Sequence, residues 1–312
     1  MDYAFVDASI VILTLNAGPR LRRVLDAVHA QRFDGALEIL VLDSGSTDGT
    51  LELAAGHDRA KRRGSVAIHP VNNFGHGRTR NEGARLATGR FVVYLTQDAL
   101  PIGDRWLTNL LAPFDDPTVA ATYSRQVPYA DATPMERFFL SRRFAGVRIV
   151  KPEPKRHRLG LYSVFFSNVS SAIRRDVLLE HPFDDSLIMS EDQQFARDVI
   201  RAGWRTVYEP ASVVRHSHRY TLWQVFTRYF DSLYSLEEIF DDSTGAVSLE
   251  GLRYTLDEFR HVLTRHPLWL PYLLFYDASK AAGTLAGHLG HHLPISLRRA
   301  LSMHKHYWGN RQ

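Results

Sequence analysis

Between residues 8 and 99 the chain repeats one pattern: an apolar, β-branched run, a polar break, then a stretch with helical spacing. Ala8–Leu15 is the first run and Asn16-Ala17-Gly18-Pro19 breaks it; Leu21, Val24, Leu25 and Val28 then share one helical face. Leu37–Leu42 is the second run, ending in Asp43-Ser44-Gly45-Ser46-Thr47-Asp48-Gly49 before a helix expected from about Thr50. Ser65–His69 is the third, followed by Asn72-Asn73-Phe74-Gly75-His76-Gly77 and a helix carrying Ala84 and Ala87; Phe91–Leu95 is the fourth. Runs this uniformly apolar are expected where helices cover both faces of a sheet, so the pattern predicts an α/β fold with a mostly parallel central sheet. The polar loops then fall at the carboxyl ends of the strands, where open α/β sheets bind ligands.

After residue 100 the rhythm changes. Val119–Ser124 reads as a strand, residues 131–160 as a mobile or substrate-facing connection, and Tyr162–Ile173 as a strand. Ser190 reads as the cap of a helix over Glu191–Ala202, Thr206–Val214 as a strand interrupted by Pro210, and everything from Thr221 as helical. At 312 residues the chain has room for one large domain or two.

Hydrophobic residues make up 45% and charged ones 23%, ordinary values for a globular protein. No run approaches the ~18 apolar residues of a membrane span. The longest, Leu268–Tyr276, contains Pro271, and the N-terminus lacks a signal-like segment, so a cytoplasmic protein is expected. Cysteine is absent, which removes disulfides and thiolate metal sites. The net charge of +4 comes with basic clusters at Arg20, Arg22 and Arg23, at Arg59–Arg63 and at Lys151–Arg158. Without a nucleic-acid motif beside them, they read as solvated faces, and no nucleic-acid partner is expected. Neither glycine loop matches the dinucleotide or P-loop fingerprint, which disfavours nicotinamide and P-loop chemistry.

Thr96-Gln97-Asp98-Ala99 delivers a carboxylate to the end of the fourth strand. Such a group suits a divalent cation that also grips substrate phosphates, although Asp-Ala-Leu-Pro also reads as a turn. Asp98 together with Leu-Asp-Ser-Gly-Ser-Thr-Asp-Gly-Thr, Gly-His-Gly-Arg-Thr-Arg-Asn and Ser-Glu-Asp, in this order and spacing, resembles the family 2 glycosyltransferases, nucleotide-sugar enzymes of the GT-A type. Asn73–Gly77, Leu95–Ala99, Phe165–Asn168, His216-Ser217-His218 and Thr227–Asp231 narrow the resemblance to bacterial dTDP-rhamnose-dependent rhamnosyltransferases. The resemblance covers about residues 8–240.

The resemblance implies a GT-A catalytic domain over 1–220, with a nucleotide-sugar half to about residue 100, and a helical C-terminal extension over 221–312. It implies that the loop at Asp43 and Ser44 meets the nucleotide base, where a carboxylate could accept an N3–H; the family often carries two acids here, which leaves open which of this pair does so. Asp48 is the expected cap of the next helix. Gly75 and Gly77 would let backbone approach the diphosphate, and Arg80, with Arg78 as the alternative, would lie near the nucleotide. Thr14, Asn16, Gln97, Asn168 and Glu191 complete the implied substrate-binding set. Asp98 becomes the ligand of Mg2+ or Mn2+, with Gln97 where the family usually has another acid, and His216, or else His218, a further ligand. Asp192 matches the catalytic base of an inverting transfer. The implied partners are a dTDP-rhamnose donor and a glycan or lipid-linked oligosaccharide acceptor in surface polysaccharide (O-antigen-like) synthesis. The alternatives are a different nucleotide sugar or a non-catalytic binding homologue. Aromatic and basic residues from Thr221 onward suggest packing against the catalytic domain or a second subunit, with peripheral contact at the inner membrane as the sharper reading.

Overall fold

A computed structural model describes residues 6–60, 66–152, 161–240 and 249–309. The first part runs β1 (Ala8–Thr14), α1 (Pro19–His29), β2 (Leu37–Asp43), α2 (Thr50–Ala60), β3 (Val66–Pro70), α3 (His76–Leu86) and β4 (Phe91–Thr96). The expected strand–helix alternation is therefore present. β1 pairs in parallel with both β2 and β4, and β2 with β3. The register places Thr14 opposite Asp43 and Leu13 opposite Thr96, so three loops leave the sheet side by side.

The strands obey the two-residue period. Val11, Leu40, Val92 and Tyr94 enter the core on one face, with Ala84 of α3 and with Phe195, Ala196 and Val199 from later in the chain. Ile10, Ile12, Ile39, Val41, Val93 and Leu95 enter the core on the other face, against Leu21, Val24, Leu25 and Val28 of α1. Each such side chain contributes about 1.5–3 kcal/mol on burial, which fixes both register and face.

The second part comprises β5 (Leu100–Pro101), α4 (Trp106–Leu111), β6 (Val119–Val127), α5 (Pro134–Arg143), β7 (Ile149–Lys151), α6 (Leu161–Val164), β8 (Ser170–Arg174), α7 (Arg175–Glu180), α8 (Glu191–Arg201) and β9 (Arg205–Arg215). The strands form one sheet in the order β3-β2-β1-β4-β8-β6-β9-β5, with β7 on β9. β6 and β9 are parallel; β8 is antiparallel to both β4 and β6 and joins the two halves.

Four expectations are corrected here. The described residues of 131–152 are not a plain connection, because Thr133 caps α5, whose Met135, Phe138 and Leu140 are buried. Residues 153–160 lie outside the described residues, as does the basic cluster from 61 to 63. Tyr162–Ile173 is not one strand: α6 occupies its start, and pairing begins only at Ser170, after a turn in which Asn168 Oδ1 accepts from Ser171 Oγ. Pro210 does not break β9; the ladder with β6 absorbs it by a register shift between Ser124 and Arg125. Ser190 does not cap α8 through its side chain; it sits in the left-handed region at φ 67°.

The helices beyond β9 are α9 (Leu222–Ile239), α10 (Leu249–Arg265), α11 (Leu270–Leu289), α12 (Ile295–Leu301) and α13 (Lys305–Gly309). A Thr221–Gln224 capping box opens α9. α11 lies on α9 at glycine positions: a Cβ on Gly287 would sit 2.6 Å from the Phe230 carbonyl oxygen. Trp308 of α13 is buried with Phe230, Tyr234 and Ile188, and Tyr307 donates to the Ser186 carbonyl. The tail thus packs on the segment that leads into Asp192.

Candidate functional site

The loops after β1, β2 and β4 are laced together by side chains. The Asp43 carboxylate is buried and accepts four hydrogen bonds: Thr14 Oγ1 and Ser46 Oγ on one oxygen, the Gly45 and Ser46 amides on the other. Those donors hold its pKa down against the opposing effect of burial. A carboxylate has about four acceptor positions, so Asp43 has none left for a base N–H. Beside it, the buried Ser44 hydroxyl has no partner. Asn16, at φ 49°, accepts the Thr47 amide on Oδ1, and its own amide donates to Ser46 Oγ. Asp48 accepts the Thr50 amide at the start of α2. Gln97 spends its side chain on backbone, accepting from the Leu15 amide at 2.9 Å and donating to the Leu15 carbonyl. That pair extends the β1–β4 ladder by one residue.

The spatial demand for glycine lies at Gly77 rather than Gly75. A Cβ at Gly77 would meet the Asp184 carbonyl oxygen at 2.6 Å, whereas at Gly75 it would make only ordinary contact with Arg78. The crowding at Gly77 therefore serves the packing of α3 on the 183–184 segment. Arg78 is half exposed and 3.9 Å from Asp185. Arg80 is buried and pairs with the equally buried Glu191 at 2.7 Å, while Nη1 also donates to the His76 carbonyl.

Glu191 opens α8, and Asp192, partly buried as a residue, follows it. Asp192 Oδ2 accepts the Asn168 amide at 3.2 Å and Oδ1 the Gln193 amide at 2.9 Å. Burial, then the neighbouring Glu191 charge, raises its pKa to about 7, with Arg80 and the two amides pulling the other way. A carboxyl poised there can accept a proton near neutral pH. Buried polar atoms without partners gather around this edge of the sheet: Ser44 Oγ, Arg80 Nε, Thr96 Oγ1, Asn168 Nδ2 and Gln193 Oε1.

Asp98 meets the end of β9. His216 Nε2 lies 3.6 Å from Asp98 Oδ1, and ligand atoms of Asp98, His216 and His218 all fall within 4.8 Å of one another. His216 Nδ1 donates to Gln126 Oε1 at 3.0 Å, and Gln126 donates in turn to Ser167. With Nδ1–H used there, the Nε2 lone pair faces Asp98. Burial holds both imidazoles neutral, His218 down to about 3. Neutral imidazole is the form that binds a metal. Adjacent ligands on a cation at ~2.1 Å stand ~3 Å apart, so the three groups fit one ion after a small contraction. One carboxylate with two imidazoles suits Mn2+ better than Mg2+. Arg20 and Arg23 of α1, with Tyr129, border Asp98 from the other side. Gln126, Ser167 and Tyr129 were not foreseen, since nothing local in the sequence ties them to Asp98.

A parallel first half, a mixed second half and an acidic loop at the end of β4 match the GT-A architecture of glycosyltransferases. Residues 9–181 match the sequence signature of Glycosyl transferase family 2, and the chain belongs to that family; it is a glycosyltransferase. It is 34% identical over 97% of its length to the O-antigen chain rhamnosyltransferase RfbN of Salmonella typhimurium, covering 96% of that protein. It is 32% identical to WbaN of Salmonella anatum, again over 97% of this chain and 96% of the relative. Among solved structures, the Pyrobaculum calidifontis mannosyltransferase PcManGT in complex with GDP-Man and Mn2+ aligns with a TM-score of 0.58 at 19% identity, over 98% of this chain and 86% of that one. Staphylococcus aureus TarS 1–349 with UDP aligns at 0.51 and 16% identity, over 92% of each chain. At these identities the two structures speak for the fold alone.

If Asp98, His216 and His218 share one cation, the chain binds Mn2+ without nucleotide. His216→Ala and Asp98→Ala should each weaken it by about 10- to 100-fold, as read by electron paramagnetic resonance of free Mn2+. Unchanged Mn2+ affinity in both variants would remove the three from the metal site.

Proposed function

We propose that the chain transfers L-rhamnose from dTDP-β-L-rhamnose to a hydroxyl of a glycan or lipid-linked oligosaccharide in O-antigen chain synthesis, with inversion to an α-linkage. The observation that carries the reading is the near full-length match to two O-antigen chain rhamnosyltransferases. The geometry supports it with a poised carboxyl, Asp192, beside a candidate cation triad at the loop edge of the sheet.

Asp192 takes the proton of the acceptor hydroxyl as that oxygen forms its bond to the anomeric carbon. The bond from that carbon to the nucleoside diphosphate breaks, and the diphosphate leaves with the electron pair. The leaving group needs no proton, so one base suffices. The Asn168 and Gln193 amides orient the Asp192 carboxylate, and the Arg80–Glu191 pair fixes the helix start that carries it. Ser44, whose hydroxyl is free where Asp43 is saturated, is the base-facing member of that pair. A bound divalent cation supplies charge neutralisation for the departing diphosphate. Residues 1–220 form the catalytic domain and 221–312 its extension.

The extension also carries a candidate membrane face. Leu252, Leu256, Phe259 and Leu263 lie exposed at helical spacing along α10, with the exposed Arg253 and Arg260 beside them. That combination suits an anionic lipid surface. It brings the enzyme to a lipid-linked acceptor, and a homodimer through the same helices is the competing use of that face. No helix among the described residues is long and apolar enough to cross a membrane.

A donor screen tests the central reading. Nucleotide-sugar loss should be fastest with dTDP-rhamnose, and turnover confined to UDP- or GDP-sugars would replace the donor. Asp192→Asn should abolish transfer while leaving dTDP affinity nearly intact. In the native enzyme, kcat/KM should climb about tenfold per pH unit below the Asp192 pKa of about 7 and level off above it, since the base acts deprotonated; a flat profile from pH 5 to 8 would remove Asp192 as the base. Sedimentation with anionic vesicles at low salt should carry the enzyme down, and Leu256→Glu together with Phe259→Glu should release it; a pelleting fraction unmoved by the two charges would clear α10 of the role.

A further inference from the structure

Arg228 of α9 is a half-buried guanidinium with no carboxylate partner among the described residues. Its Nη1 donates to Tyr220 Oη at 3.3 Å, and its Cζ stands 5.4 Å from the Tyr220 ring centre. Tyr220 stacks on His218 with centres 4.8 Å apart, and His218 meets His216 edge-on at 4.5 Å. Arg228 is thereby held one aromatic layer from the Asp98–His216–His218 cluster. The two acids that feel its charge, Glu136 and Asp231, form no ion pair with it among the described residues. Glu136 accepts the His218 amide, and Asp231 the Met303 and His304 amides. A partly desolvated cation with no ion-pair partner among the described residues is fit to take an anionic ligand.

We propose that Arg228 is a diphosphate-binding residue, its guanidinium taking phosphate oxygens of the nucleoside diphosphate on the side of the cation cluster that faces α9. The inference rests on the donor reading above and deepens it. Guanidinium forks match phosphate oxygens in pairs, which a lysine cannot reproduce. The Tyr220 ring and hydroxyl pre-orient the fork, so little side-chain freedom is lost on binding. α9 also carries the packing of α11 and α13, so the extension would be part of the donor site.

Calorimetric titration of the full chain with dTDP and with dTMP, in the presence of Mn2+, tests this without turnover. Arg228→Gln should weaken dTDP on the order of 10- to 100-fold and dTMP by less than about threefold. Arg228→Lys, which keeps the charge and stem, should fall between wild type and Arg228→Gln for dTDP. Equal dTDP affinity in wild type and Arg228→Gln would overturn the proposal, and if transfer still fell would move the residue to the acceptor side. An equal loss for dTMP and dTDP would overturn it in favour of a structural role. Should the wild type bind UDP or GDP in place of dTDP, the donor reading fails, while the same diphosphate-to-monophosphate comparison on that nucleotide still decides Arg228. A wild type that binds no nucleoside diphosphate would overturn both.

Discussion

The buried ion pair between Arg80 and Glu191 ties the molecule together. Arg80 belongs to α3, in the parallel half, and Glu191 to the first turn of α8, in the mixed half. Both are almost fully out of water, where an unpaired charge is so costly that removing one partner typically destabilises by about 3–5 kcal/mol. The pair therefore couples the halves at one point, and that point adjoins Asp192. The Glu191 charge drives the Asp192 pKa up and Arg80 restrains it. The position of the candidate base thus follows from this pair, while its acidity follows from burial first and the pair second; Tyr94 supports the pair from behind by donating to the Arg80 carbonyl.

The two non-glycine residues with positive φ among the described residues, Asn16 and Ser190, both stand at this edge of the sheet. Strain of about 1–3 kcal/mol at such positions persists only where surroundings over-determine the backbone. For Asn16 the surroundings are bonds to Ser46 and Thr47. For Ser190 they are the tail, which through Ile188, Tyr307 and Trp308 holds the segment ahead of α8. The C-terminal helices are in this sense part of the site's scaffold.

The parallel half could be read from the sequence because its strands are apolar throughout and its helices amphipathic, so local pattern and tertiary environment agree. The second half was harder. β8 is a short strand entered through a turn at Asn168, and the run Tyr162–Ile173 carries no local sign of where pairing begins. α5 sets its few buried residues among charged ones and leaves Phe139 exposed, so its period is weak. Within the site, the position of Asp98 on a loop at a strand end followed from the pattern, whereas Asp192, in the first turn of α8, and His216, just beyond β9, were reached only through the family resemblance. The saturation of Asp43 and the pairing of Gln97 with Leu15 did not, because each depends on partners 29 and 82 residues away.

Gln97 also explains the composition of the cation cluster. With its amide committed to the Leu15 backbone, the β4 loop offers a single carboxylate. The other donors come from His216 and His218, just beyond β9, with His216 set by Gln126 of β6. β4 and β9 are not neighbours; β8 and β6 stand between them in the sheet. A pair of acids on one loop could gather a cation before the rest of the chain folded. Donors divided between the β4 loop and β9 cannot; the cluster forms where β5, which follows Asp98 directly, pairs Leu100 with Arg215 at the end of β9 and so brings Asp98 beside His216.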